Sequence, residues 1–198
     1  MHSNSYLSKW HFQKDKLIRN NVYEETHEHS SCGVGLIASI KGVYSRDVVE
    51  MGVQALKCLY HRGAVDADGK TGDGAGIHLN IPKDFFLEKI ERMGQKPNNL
   101  PFAVGMIFLP RIDFAAQERS RNIVESDVLK EGLKIYGWRH VPINTKVIGD
   151  KAQITRPEIE QILIGNDNYK DENSLNIKLY IIRKRVEQKI RQENINDF

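Results

Sequence analysis

The stretch CGVGLIASIKG, residues 32–42, decides how this 198-residue sequence divides. It follows the polar run HEHSS, residues 27–31, and its residues from 33 to 40 are mostly small or branched and apolar. This pattern predicts a buried strand that ends in a turn at Lys41-Gly42. The first 31 residues show no sustained periodicity, which indicates a leader with at most local helix around residues 14–20. We therefore expect a leader, or propeptide, over residues 1–31 and one domain over residues 32–198.

Cys32 lies on the boundary between these two parts. Gly33 and Gly35 remove side chains around the sulfur and leave room for a substrate carbonyl and for backbone N–H donors. If the Ser31–Cys32 bond were cleaved, the new α-amino group would titrate at about 7.7–8.0 and could take the thiol proton. Nucleophile and base would then belong to one residue. The alternative is that Cys32 is a small hydrophobic residue buried at the start of a strand.

The rest of the chain mixes helical and strand patterns without a regular order. Residues 63–76 form a loop rich in glycine and aspartate, and residues 102–109 are apolar throughout, as in a fully buried strand. Helices are predicted over 46–60, 84–93, 113–136 and 173–192, and strands over 33–40, 77–81, 102–109, 138–141 and 158–164. These elements indicate a mixed domain of the α/β or α+β class.

Composition excludes several classes of protein. The 29 basic and 26 acidic residues give a net charge of +3 without any basic cluster interleaved with aromatic residues, so nucleic acid is not an expected partner. The two cysteines, Cys32 and Cys58, match neither a disulfide framework nor a metal site. No apolar run is long enough to span a membrane, and the first residues lack the apolar core of a secretory signal. A cytoplasmic location without a bound metal is expected.

Three motifs in order give the sequence a family resemblance. CGVGLIASIKG (32–42), VQALKCLYHRGA (53–64) and DADGKTGDGAGIHLNIP (66–82) resemble the opening of the class II glutamine amidotransferase domain of the glutamate synthase large subunit. The resemblance continues more weakly to about residue 192. It implies an α+β fold of the N-terminal-nucleophile hydrolase type, a four-layer αββα sandwich of two largely antiparallel sheets between helices, here incomplete at the C-terminus.

The resemblance also implies a reaction and its site. Removal of the leader makes Cys32 the N-terminus; it attacks the side-chain amide of glutamine, forms a γ-glutamyl thioester, and releases ammonia and glutamate. The ammonia then aminates 2-oxoglutarate for glutamate biosynthesis. FMN and an iron–sulfur cluster are implied for the full-length enzyme but not for this segment, and the implied partners are glutamine, the remainder of the large subunit and the small subunit.

Beside Cys32, the resemblance assigns support of the substrate pocket to Arg62, Gly63, Asp73 and Gly74. Two of these residues have a simpler explanation: Arg62 would be stabilised at a helix C-terminus by the helix dipole, and Asp73 could cap its own loop. By its helical position Cys58 is expected in the core, His61 at the helix end, and His78 on a polar strand face.

One feature of the family is missing from this sequence. The family's oxyanion hole uses an Asn-Gly pair, and the sequence contains no Asn-Gly dipeptide. Loss of one oxyanion-hole donor typically lowers the catalytic rate by a factor of about 10²–10³. The chain alone is therefore expected to have negligible glutaminase activity. Two hypotheses therefore stay open beside a purely structural domain: the amidotransferase segment of a glutamate synthase, or a catalytically incomplete remnant or binding module that retains the first half of the fold.

Overall fold

The computed structural model describes residues 3–19, 33–59, 65–195 and 198. The chain divides into two compact units, Met1–Arg62 and Gly63–Phe198. The predicted leader boundary at residue 31 lies outside the described residues and stays a prediction. None of the helices in the described ranges has the length and apolar character needed to cross a bilayer.

The first unit contains helices α1 (Ser3–Arg19) and α2 (Arg46–Cys58). Helix α1 is much longer than the local helix predicted around residues 14–20, and Trp10 and Phe12 on it are exposed. Helix α2 was predicted with the correct start; the Ser45 hydroxyl caps it by accepting a hydrogen bond from the Asp47 N–H at 3.1 Å. No side chain of α2 is buried in the described structure.

The strand predicted over residues 33–40 does not form. Residues 33–39 have no regular structure, and Val34 and Leu36 are 93% and 91% exposed. A strand is stable only when a neighbouring strand takes up its backbone hydrogen bonds. Among the described residues no strand pairs with this segment. Its apolar sequence alone was therefore not sufficient to form a strand.

The second unit is built on one antiparallel sheet. Its strands are β1 (Ala103–Leu109), β2 (Lys134–His140) and β3 (Glu158–Gly165), in the order β1-β3-β2. Ala103 pairs with Ile164 at one end of the β1–β3 ladder, and a bulge between Ile135 and Gly137 shifts the register of β2 on β3. The helices are α3 (Lys83–Arg92), α4 (Phe114–Lys130), α5 (Asp150–Thr155) and α6 (Glu172–Gln192).

Alternate residues of β3 enter two hydrophobic clusters on opposite faces of the sheet. Ile162 and Ile164 belong to the larger cluster, which also contains Val128 of α4 and Ile182 of α6. Leu163 belongs to the smaller cluster with Tyr136 and with Phe86 and Ile90 of α3. Helices α4 and α6 therefore cover one face, and α3 covers part of the other. The predicted α+β class is confirmed.

Three further predictions for this unit are wrong. Residues 77–81 form no strand, and Ile77, Leu79 and Ile81 are all exposed. Strand β1 was expected to be fully buried, but Met106 and Phe108 are about half exposed because β1 is an edge strand and α3 covers only part of that face. Helix α4 was also predicted to continue to Tyr136.

Helix α4 ends early because of a glycine. Gly132 has φ +72°, which favours glycine, and its N–H donates to the Leu129 carbonyl at 3.0 Å. The Leu133 N–H donates to the Val128 carbonyl at 3.4 Å, and the Leu133 side chain is buried. This is a Schellman motif, which ends the helix and directs the chain into β2.

Candidate functional site

The glycine- and aspartate-rich loop folds into a tight hairpin turn. Val65 and Gly72 form an isolated antiparallel bridge. Inside it, the Asp66 N–H donates to the Thr71 carbonyl at 2.7 Å, and the Gly69 N–H donates to the Asp66 carbonyl at 2.9 Å. Gly69 has φ +67°, a value that glycine adopts without strain. The sequence D-A-D-G-K-T therefore forms a closed turn from its own backbone.

The carboxylate of Asp68 organises this turn. Its Oδ1 accepts hydrogen bonds from the backbone N–H groups of Lys70 at 2.9 Å and Thr71 at 2.7 Å, and its Oδ2 accepts from the Thr71 hydroxyl at 2.5 Å. The Thr71 hydroxyl, followed by these backbone donors, holds the pKa of Asp68 far below its usual range. Asp68 is therefore an ionised structural acceptor and is unsuited to act as a general base.

Helix α5 packs directly against the same turn. A Cβ atom built on Gly149 would stand 2.1 Å from the Thr71 hydroxyl and 2.3 Å from Oδ2 of Asp68, so residue 149 has no room for a side chain. The Lys151 ammonium lies 2.6 Å from Oδ2 of Asp66. Gly149 offers no side-chain cap of its own, and the carboxylate of Asp68 lies beside it at the start of α5.

An open depression of about 270 Å³ lies at this turn. This volume is slightly below the range of about 300–1,000 Å³ that is usual for small-molecule sites. It is lined by Val65, Asp66, Thr71, Gly72 and Asp73. The lining residues carry carboxylates, a hydroxyl and backbone amides, which are groups of the kind that bind the charged and polar parts of an amino acid.

The predicted site residues are only partly covered by the structure. Cys32, Arg62 and Gly63 lie outside the described residues, as does His61. Asp73 is exposed and lines the depression. Gly74 is exposed with φ +82°, and a Cβ built on it would meet no atom within 4 Å. A glycine at position 74 is thus explained by its backbone conformation and not by close packing.

Sequence reasoning missed Asp68 as the residue that caps the loop, and considered Asp73 for that role. The available signal was the spacing of Asp68 and Thr71, which allows an aspartate to accept both the N–H and the hydroxyl of a residue three positions later. Cys58, expected in the core, is exposed, because no side chain of α2 is buried. His78 is exposed together with its apolar neighbours, so the expected alternation of faces is absent.

The other charged clusters of the second unit are structural ion pairs. Glu160, 2% exposed, accepts two hydrogen bonds from Arg121, and Asp127 accepts one from Lys189 at 2.5 Å. Among the described residues no group of three or more His, Cys, Asp or Glu side chains is placed to hold a metal ion.

Comparison with known proteins gives one family and a consistent set of relatives. The family of class-II glutamine amidotransferases matches residues 32–198. The chain is 53% identical over 182 residues to the glutamate synthase [NADPH] large chain of Azospirillum brasilense, a match that covers 92% of this chain and 12% of the relative. It is 37% identical over 175 residues to ferredoxin-dependent glutamate synthase 1, chloroplastic/mitochondrial, of Arabidopsis thaliana, covering 88% of this chain and 11% of the relative. It thus spans only about an eighth or a ninth of the length of these relatives.

Proposed function

Since this chain belongs to the class-II glutamine amidotransferases, we propose that residues 32–198 are the nucleophile-bearing segment of a glutamate synthase large chain. The observation that carries the proposal is the position of the family match, which begins at Cys32, the residue that the sequence itself marks as a candidate N-terminal nucleophile. The similarity to NADPH- and ferredoxin-dependent glutamate synthases supports the enzyme class.

In the proposed reaction, cleavage after Ser31 frees the α-amino group of Cys32, which takes the thiol proton. The thiolate attacks the side-chain carbonyl carbon of glutamine, a C–S bond forms, and the C–N bond breaks as ammonia leaves with that proton. Water then hydrolyses the γ-glutamyl thioester to glutamate and regenerates the thiol. Arg62, Gly63, Asp73 and Gly74 are proposed to support the glutamine pocket.

The proposed fold is the αββα sandwich of N-terminal-nucleophile hydrolases. Support comes from apolar surface that the described elements leave uncovered: the segment 33–39, the segment 77–81, and Met106 and Phe108 on the partly covered face of the sheet. A second sheet would bury such side chains and provide hydrogen-bonding partners for extended segments.

In the proposed enzyme the ammonia aminates 2-oxoglutarate at a separate site. FMN and an iron–sulfur cluster would belong to the rest of the large subunit, with a small subunit as partner. A cytoplasmic location stays a prediction. The alternative function, an incomplete remnant or binding module, rests on the missing Asn-Gly dipeptide.

A chimera tests the proposal against this alternative. Residues 32–198 replace the matching segment of the Azospirillum large chain, with Cys32→Ala as the matched control. We expect glutamine-dependent glutamate synthesis in the chimera and its loss in the control, while synthesis from added ammonium chloride continues in both and shows that the enzyme is folded. Ammonia-dependent synthesis without glutamine-dependent synthesis in the chimera itself would favour the remnant.

A further inference from the structure

We propose that the segment Gly149–Thr155 is a positioning element of the glutamine site and that it acts through Asp68 and Thr71. The inference rests on the proposed function, in which Asp73 and Gly74 support the glutamine pocket. Asp68, Thr71 and Gly149 are positioning residues in this proposal, because none of them is assigned a contact with the reacting atoms.

The first step is the closeness of the contact between the loop and the helix segment. The nearest atoms to a Cβ built on Gly149 are the Thr71 hydroxyl, Oδ2 of Asp68 and, at 2.7 Å, the backbone nitrogen of Thr71. An independent tie accompanies this packing: the ion pair between Lys151 and Asp66. The loop is thus held against α5 by packing and charge together.

The second step is the absence of bulky side chains just after the turn. Residues 72–76 read G-D-G-A-G, so this segment has little side-chain volume to pack against other elements. Gly74 in particular meets nothing at the position of a Cβ atom. The turn that immediately precedes residues 73 and 74 is closed by the Val65–Gly72 bridge and organised by Asp68, and in this proposal it sets the backbone direction of Gly74.

The third step is that α5 contributes little to the core. The helix has six residues, none of them buried. A short exposed helix adds little to global stability. Loosening the contact between α5 and the loop should consequently change the conformation of the loop far more than the free energy of unfolding of the domain. This difference distinguishes a positioning role from a general structural role.

The variants are Thr71→Val, which removes the hydroxyl at nearly constant volume, Gly149→Ala, which forces the two segments apart, and Thr71→Ser, which restores the hydroxyl. Thr145→Val is the matched control, because it makes the same change at an exposed position outside the segment Gly149–Thr155. Amide hydrogen exchange is measured in the 198-residue chain, and steady-state kinetics are measured in the chimera.

We expect exchange of the Lys70 and Thr71 amides to rise at least about tenfold in Thr71→Val and Gly149→Ala, the effect of losing one charge-assisted hydrogen bond. In the chimera the KM for glutamine should rise by a similar factor, while the rate with ammonium chloride stays unchanged. Thr71→Ser should recover both values, and Thr145→Val should alter neither.

The two proposals fail in different ways. A chimera that synthesises glutamate from ammonia but shows no Cys32-dependent use of glutamine removes the proposed function and the positioning role with it. An active chimera whose KM for glutamine is unchanged in Thr71→Val and Gly149→Ala overturns the positioning role alone. Equal losses of glutamine- and ammonia-dependent rates would also overturn it, since they would indicate a general structural role.

Discussion

The guanidinium of Arg121 forms two parallel hydrogen bonds to the carboxylate of Glu160, from Nε to Oε2 at 2.9 Å and from Nη2 to Oε1 at 2.7 Å. Arg121 comes from α4 and Glu160 from the central strand β3, so this pair joins the helical layer to the sheet. Glu160 is only 2% exposed and lies between two edge strands, where an unpaired charge would be costly.

Replacing Arg121 by methionine should destabilise the second unit strongly. The side-chain volume is largely kept, but Glu160 is left ionised and buried without its main partner, a change that typically costs about 3–5 kcal/mol. Urea unfolding followed by circular dichroism gives the free energy of unfolding. Glu118→Gln is the control, because Glu118 is the other carboxylate paired with Arg121 and its side chain is 68% exposed. This substitution should lower the free energy of unfolding by less than about 1 kcal/mol. Similar costs for both variants would contradict the buried pair as the main contribution.

The same pair should make stability fall in acid. The hydrogen bonds from Arg121 hold the pKa of Glu160 below its ordinary value of 4.5. Because the pKa of Glu160 is lower in the folded than in the unfolded protein, its ionised carboxylate stabilises the fold fully above pH 4.5. This stabilisation is lost as the pH falls through the pKa of Glu160 in the folded protein. We expect the free-energy difference between the wild type and Glu160→Gln to be constant near neutral pH and to shrink below about pH 4.5. The slope should not exceed about 1.4 kcal/mol per pH unit.

Unfolding in urea at a series of pH values from 6 to 3 measures this difference. Comparing the two proteins cancels the contribution of other carboxylates with lowered pKa values, such as Glu131 and Glu187. A difference that stays the same down to pH 3 would show that Glu160 does not carry the acid dependence.

The sequence predicted elements well where the pattern was long or bounded by clear end signals. Helix α6 was predicted over 173–192 and runs over Glu172–Gln192, and β3 was predicted over 158–164 and runs over Glu158–Gly165. In contrast, α4 was predicted to continue to Tyr136, because its actual end depends on the left-handed backbone of Gly132. Helix α5 is too short for a periodic pattern, and it packs on a turn about eighty residues earlier in the chain.

The candidate site was predicted only in part for a related reason. The motifs predicted the loop over residues 63–76 but not the contacts that organise it. Those contacts join Asp68 to Gly149 and Asp66 to Lys151, and such pairings are not visible in local sequence patterns. The burial of Glu160 was missed in the same way, since it depends on Arg121, 39 residues earlier.

Two aspartates at helix N-termini should each contribute measurably to stability. Asp113 accepts a hydrogen bond from the Ala116 N–H at 2.8 Å at the start of α4, and Asp171 accepts one from the Ser174 N–H at 2.9 Å at the start of α6. Asp113→Ala and Asp171→Ala should each lower the free energy of unfolding by about 1 kcal/mol. The double variant should lose the sum, because the two caps share no partner. Substitution by asparagine, which also caps helices, should recover most of each loss.

Gly165 lies at the end of β3 against the ring of Tyr136, and this contact leads to the last prediction. A Cβ atom at position 165 would lie 2.4 Å from Cζ and 2.5 Å from the hydroxyl of Tyr136, a rigid and buried side chain. Gly165→Ala must therefore displace the ring or the strand, and overpacking of this kind typically costs about 1–3 kcal/mol.

Gly76→Ala is the control, because it makes the same chemical change in the same unit at a position where a Cβ would meet nothing within 4 Å. Its effect should stay within about 0.5 kcal/mol. Thermal or urea unfolding of the two variants measures the contrast. Equal stabilities would mean that Tyr136 can move without cost and that the smaller hydrophobic cluster is not closely packed at this end of the sheet.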